Sequence, residues 1–137
     1  MGESISKLLA NYDIRITEQR KRILKVLISS SKPLSASEIY NQLQQNNYQV
    51  RLSTIYRNLS NFHEKGLIKE LNFAGKNQNY YEFINDHHHH LLCTSCGEIL
   101  CLDCPVQDYE SSLARETGYE ISEHKIKIYG LCPQCKK

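Results

Sequence analysis

Two Cys-x-x-Cys pairs, Cys93-Thr-Ser-Cys96 and Cys132-Pro-Gln-Cys135, stand 35 residues apart in a chain of 137. A Cys-x-x-Cys turn puts both sulfurs on one side of a tight bend. Two such bends enclose a tetrahedral thiolate site of the kind Zn²⁺ occupies, and four thiolates leave no coordination position open for chemistry. The site is therefore expected to be structural, tying the last strand back to Cys93. A redox dithiol is the alternative for one pair alone. Two pairs without a thioredoxin-like βαβ pattern favour zinc.

Charge divides the chain at nearly the same place as the cysteines. Residues 1–84 carry 12 Lys/Arg against 7 Asp/Glu, whereas residues 85–137 carry 5 against 8. All six cysteines and five of the six histidines fall in the second segment. The basic part suits a polyanion, and the acidic, Cys/His-rich part suits cations. A boundary at Asn85-Asp86 gives domains of 1–84 and 85–137. Domains this small bury little apolar surface alone and need a staple or a partner. No apolar run approaches the roughly 18–20 residues that span a bilayer. The start of the chain lacks the basic and apolar regions of a signal peptide. A cytoplasmic location is expected, where grouped cysteines serve more often as metal ligands than as disulfides.

Periodicity gives an α+β fold. Helices are predicted over Ser4 to Asn11 and over Glu18 to Ser29, the second capped by Thr17 and broken at Lys32-Pro33. Ser35 to Glu38 reads as a capping box opening a third helix. A fourth runs from near Ser53 to Gly66. The period then changes to two, giving strands from Leu67 to Phe73 and from Asn79 to Phe83 about a turn at Gly75. Helices followed by a two-stranded hairpin outline an N-terminal winged helix-turn-helix. The second half reads as strands 89–94 and 98–102, helix 106–117 and strand 119–129, a small α/β unit.

On a helical wheel, Ile55, Leu59 and Phe62 share one narrow sector. Ser53, Arg57 and Ser60 point away from it, flanked by Thr54, Tyr56 and Asn61. This outer face carries hydroxyls, an aromatic ring, an amide and a guanidinium but no carboxylate. Such groups read base edges and hold phosphates. The hairpin that follows and the surrounding positive charge favour DNA over an ordinary solvated face. Arg15, Arg20, Lys21 and Arg22 are then expected to contact phosphates or the minor groove.

His87-His-His-His90 on a strand would place His87 and His89 on one side and His88 and His90 on the other. Two ligands on each face suit two distinct sites, and Zn, Fe, Ni and Co all accept imidazole. Glu82, Cys101, Cys104, Asp108, Glu110 and His124 are the other candidate donors. A ligand at Glu82, just before the domain joint, would couple metal occupancy to the orientation of the DNA-binding half.

Taken together, these motifs resemble the ferric uptake regulator family over nearly the whole chain. The likeness is carried by Arg15 to Leu24, Ser53 to Leu59, Tyr81-Glu82, His87 to Gly97, His124 and Tyr129 to Cys135. It implies a homodimeric repressor that binds palindromic, AT-rich double-stranded operator DNA when its regulatory metal is loaded, the second domain serving dimerisation. Cys93, Cys96, Cys132 and Cys135 match the structural site. Glu82, His88, His90 and Cys101 match the regulatory site, whose fourth position is usually glutamate in iron-sensing relatives. His87, His89 and His124 match a further site, whose usual helix acid maps near Gln107 or Asp108. Family members often have a histidine just before the third helix, where this chain has Pro33. The Cys104-Pro105 step resembles zinc uptake regulators, and a thiolate at Cys101 suits a softer metal than Fe²⁺.

The expectation is a zinc-responsive repressor of metal-uptake genes, with Arg15, Arg20, Ser53, Thr54, Tyr56 and Arg57 at the DNA. Structural Zn²⁺ and regulatory Zn²⁺ or Fe²⁺ are its expected metals, with no membrane or small-molecule substrate as partner. An iron-responsive repressor is the rival within the class. A zinc-ribbon-like interaction module with a Cys101-x-x-Cys104 thiol switch is the rival outside it. An enzyme is not expected, since no nucleophile–base arrangement is evident and the clearest metal site is closed.

Overall fold

The computed structural model describes residues 2–83 and 88–136, which fall into two compact units, Met1–Asn85 and Asp86–Lys137. The fold is α+β. In the first unit, α1 (Gly2–Asn11), α2 (Glu18–Ser29), α3 (Ala36–Gln45) and α4 (Leu52–Glu64) pack around one apolar cluster. Local chemistry fixes their starts. Thr17 accepts the backbone N–H of Arg20 at the head of α2. Ser35 and Glu38 form a reciprocal capping box at the head of α3. Gly66, with φ of +80°, takes the left-handed conformation that ends α4.

Leu9, Ile23, Leu24, Ile39, Ile55, Leu59 and Phe62 are fully buried and bring the inner faces of all four helices to one core. The hairpin β2 (Ile68–Leu71) and β3 (Tyr80–Phe83) follows. A two-residue strand absent from the sequence reading, β1 (Leu34–Ser35), pairs with β3, so the wing has three strands in the order β1-β3-β2. Two residues are too few to display a period, so no pattern announced β1.

The second unit has a three-stranded sheet in the order β5-β4-β6 and one helix. Strand β4 (His88–Cys93) runs antiparallel to β5 (Ile99–Asp103) and parallel to β6 (Lys127–Gly130). Helix α5 (Gln107–Thr117) lies in the connection that parallel pairing requires. The strand expected over 119–129 is confined to Lys127–Gly130, and residues 118–126 have no regular structure. Only Lys127 to Gly130 stand in register with β4, opposite His90 to Cys93. Just upstream, the Ile126 amide donates to the His89 ring at 3.3 Å instead of to a neighbouring strand. No helix among the described residues is long and apolar enough to cross a membrane.

Candidate metal centres and nucleic-acid face

Register in the second unit brings the four paired cysteines together. Cys93 ends β4, and the turn to β5 is closed by Cys93 N–H to Glu98 O (2.9 Å) and Gly97 N–H to Cys93 O (3.0 Å). Cys96 sits inside that turn. Gly130 pairs with Cys93, so Cys132 begins a second turn beside the first, closed by Cys135 N–H to Cys132 O at 3.0 Å. The four Sγ atoms lie within 4.8 Å of one another, and Cys96 and Cys132 are 3.9 Å apart. Tetrahedral Zn–S bonds of about 2.3 Å put sulfurs roughly 3.8 Å apart, so the donor set fits zinc.

The electrostatics of this cluster point the same way. Backbone N–H groups of Cys96 (3.5 Å) and then Cys132 (3.4 Å) aim at Cys93 Sγ and lower its thiol from the ordinary 9.0 to about 6. The Ser95 hydroxyl lowers Cys135, but the Cys132 and Cys93 sulfurs outweigh it and push that thiol up to about 11. Four sulfurs so close cannot all be thiolates unless a cation compensates them.

Alternation along β4 separates the histidines. Residues directly opposite in a ladder share a face. His90 pairs with Cys101, and their ligand atoms lie within 4.8 Å of each other. His89 points to the other face, where it meets His124 and Cys104. The Nε2 atoms of His89 and His124 are 3.0 Å apart, and Cys104 Sγ is 3.2 Å from His124 Nε2. His124 Nδ1 contacts a Glu110 carboxylate oxygen. The acid of α5 that contacts His124 is Glu110, where the sequence expectation named Asp108. Two residues along α5 turn the side chain by about 200°, which takes Asp108 away from the face Glu110 presents. His87 lies outside the described residues, and of His88 only the backbone is described. Glu82 lies on β3 of the first unit, in register with Lys69.

A Cys101–Cys104 disulfide conflicts with this geometry. Cys101 faces His90, whereas Cys104 reaches His124 on the His89 side. Three extended residues also span about 10 Å, beyond the Cα separation of roughly 7 Å that a disulfide tolerates.

In the first unit, Ser53, Tyr56, Arg57 and Ser60 of α4 are exposed, Thr54 is half-buried, and Ile55, Leu59 and Phe62 are buried. A polar cleft of about 960 Å³ opens at the head of this helix, lined by Gln19, Tyr40, Gln49, Arg51, Thr54 and Arg57 among others. A helix N-terminus flanked by guanidinium groups suits a phosphate. Arg15 is exposed, as a DNA contact requires. Arg20 is engaged within the protein, its Nε donating to Asn58 Oδ1 (3.0 Å) and a terminal N–H to the Arg15 carbonyl (2.8 Å). Sequence reasoning passed over Asn58, although an amide one turn from both Ile55 and Phe62, on the inner side of the wheel, was a visible signal. Arg22 is similarly occupied, bonded to Glu18 and 4.3 Å from the Tyr48 ring centre.

Residues 11–129 match the model of the ferric uptake regulator family. The peroxide operon regulator of Bacillus subtilis is 36% identical over 125 residues, covering 90% of this chain and 86% of that protein. The ferric uptake regulator of Vibrio cholerae superposes with a TM-score of 0.81 at 28% identity, covering 92% of this chain and 98% of that one. The Helicobacter pylori ferric uptake regulator has the same fold, with a TM-score of 0.84 at 23% identity over 100% and 95% of the two chains.

Proposed function

The chain belongs to the ferric uptake regulator family, and we propose that within this family it is a zinc-responsive repressor of metal-uptake genes. At the coarser level it is a metal-responsive transcriptional repressor and not an enzyme. The observation that carries the zinc reading is the cross-strand pair of His90 and Cys101. An imidazole beside a thiolate favours Zn²⁺ over Fe²⁺ or Mn²⁺, which prefer oxygen donors more strongly. Glu82, His88, His90 and Cys101 hold the sensed metal. Cys93, Cys96, Cys132 and Cys135 hold structural zinc.

The DNA-bound form is a cytoplasmic homodimer. Leu100 and Ile128 both flank Leu91 on one sheet face and are 51% and 44% exposed, an apolar row that a second copy covers. Arg15, Ser53, Thr54, Tyr56 and Arg57 contact the operator. Arg20 holds the reading helix in place rather than reaching DNA.

A second reading, peroxide response, is favoured by the name of the Bacillus subtilis relative. Against it stand the thiolate at Cys101 and the presence of Pro33 where family members often supply a histidine. Titrating the purified chain, its structural zinc retained, with Zn²⁺, Fe²⁺ and Mn²⁺ while following operator affinity separates the readings. Zinc alone should switch binding at micromolar or lower concentration. A switch driven by Fe²⁺ or Mn²⁺ and cancelled by hydrogen peroxide would establish the second reading instead.

A further inference from the structure

The family resemblance implies a further site at His87, His89 and His124 with a helix acid, and it gives Cys104 no role. Cys104 nevertheless follows directly after β5 with its sulfur 3.2 Å from His124 Nε2, where His89 Nε2 also arrives at 3.0 Å. All three donor atoms lie within 4.8 Å of one another. Tetrahedral zinc with bonds of about 2.0–2.1 Å to nitrogen and 2.3 Å to sulfur places such donors roughly 3.3–3.6 Å apart. The 3.0 and 3.2 Å separations at His124 Nε2 therefore need to open by only a few tenths of an ångström around an ion.

We propose that Cys104 is a metal ligand, and that with His89 and His124 it forms a thiolate-containing zinc site separate from both the four-cysteine cluster and the His90–Cys101 pair. Glu110 bonds Nδ1 of His124, on the far side of the ring from the metal-facing Nε2. It is a positioning residue that fixes the ring and its tautomer, as carboxylates behind zinc-bound histidines do. The thiolate makes the site select Zn²⁺ against Mn²⁺ and Fe²⁺.

The three donors come from β4, the residue after β5 and the irregular 118–126 segment. The metal thus pins to the sheet a stretch that has no ladder of its own. It also alters one contact. With the Ile126 amide donating to His89 Nδ1, the ring proton sits on Nε2. Zinc at Nε2 requires the neutral ring to carry its proton on Nδ1 instead, so loading shifts that proton and breaks the Ile126 contact, while the proton released to solvent comes from the Cys104 thiol.

The test uses the full chain with its four-cysteine zinc retained and with His90→Ala and Cys101→Ala removing the other mixed pair. Added Co²⁺ should bind one equivalent per chain and give the near-ultraviolet thiolate-to-cobalt absorption. Cys104→Ser should abolish that absorption, and Glu110→Gln should keep it while lowering Zn²⁺ affinity about 10–100-fold. In the wild-type chain, Zn²⁺ should protect Cys104 from alkylation, read by peptide mass. Absorption that survives Cys104→Ser, absence of Co²⁺ binding in the double-substituted chain, or full alkylation of Cys104 in saturating Zn²⁺ would each overturn the proposal. Operator binding is measured separately on the wild-type chain, so a zinc-responsive repressor whose Cys104 stays unprotected refutes this site alone.

Discussion

Arg20 and Arg57 both look like DNA contacts in sequence, yet they face different tasks. Arg20 reaches from α2 to buried Asn58 on α4 and anchors the reading helix. Arg20→Ala should therefore lower stability by about 1–3 kcal/mol, because a buried amide oxygen loses a charged donor. An unchanged thermal midpoint would return Arg20 to the phosphate contacts. Arg57→Ala should leave the midpoint alone and cost roughly 1–3 kcal/mol on the preferred operator, with base preference relaxed. Equal loss on all DNA would mean that it touches phosphate only.

At the scale of elements, the helices were legible because their ends are chemically marked. Thr17, Ser35 with Glu38, and Gly66 stand where the structure starts and stops helices. Ser35→Ala should accordingly cost about 0.5–2 kcal/mol, measured by denaturant unfolding. A neutral effect would show that packing alone sets the start of α3. Strands were less legible, since a strand is defined by its partner. The stretch 119–129 reads as strand throughout, yet only Lys127–Gly130, opposite β4, finds a ladder. The His90–Cys101 and His89–Cys104–His124 groupings were only half visible. Alternation in the histidine run predicted two faces, and the family resemblance joined Cys101 to His90, but that Cys104 joins the His89 face depends on the β4–β5 register. The choice of Glu110 over Asp108 depends on the rotation of α5.

For the whole molecule, the second unit is small enough that metal and partner supply much of its stability. Cys132→Ser should release one tightly held zinc and unfold that unit, since structural zinc contributes about 10–16 kcal/mol of apparent folding free energy. Retention of the full metal complement would reject the four-cysteine assignment. Leu100→Asp with Ile128→Asp should shift the chain to monomer in sedimentation, and a persistent dimer would place the interface elsewhere. In a dimer, metal loading would match the two recognition helices to half-sites about one helical turn (~34 Å) apart. A 100-fold rise in operator affinity corresponds to about 2.7 kcal/mol of coupling, within the reach of one metal ion. The most direct measurement compares wild type with the His90→Ala, Cys101→Ala chain on an AT-rich palindromic duplex selected by the zinc-loaded protein, with and without Zn²⁺. Zinc-responsive repression predicts that Zn²⁺ tightens wild-type binding about 100-fold and leaves the substituted chain at its weak, non-specific level. A substituted chain that still tightens on its operator with Zn²⁺ would contradict it.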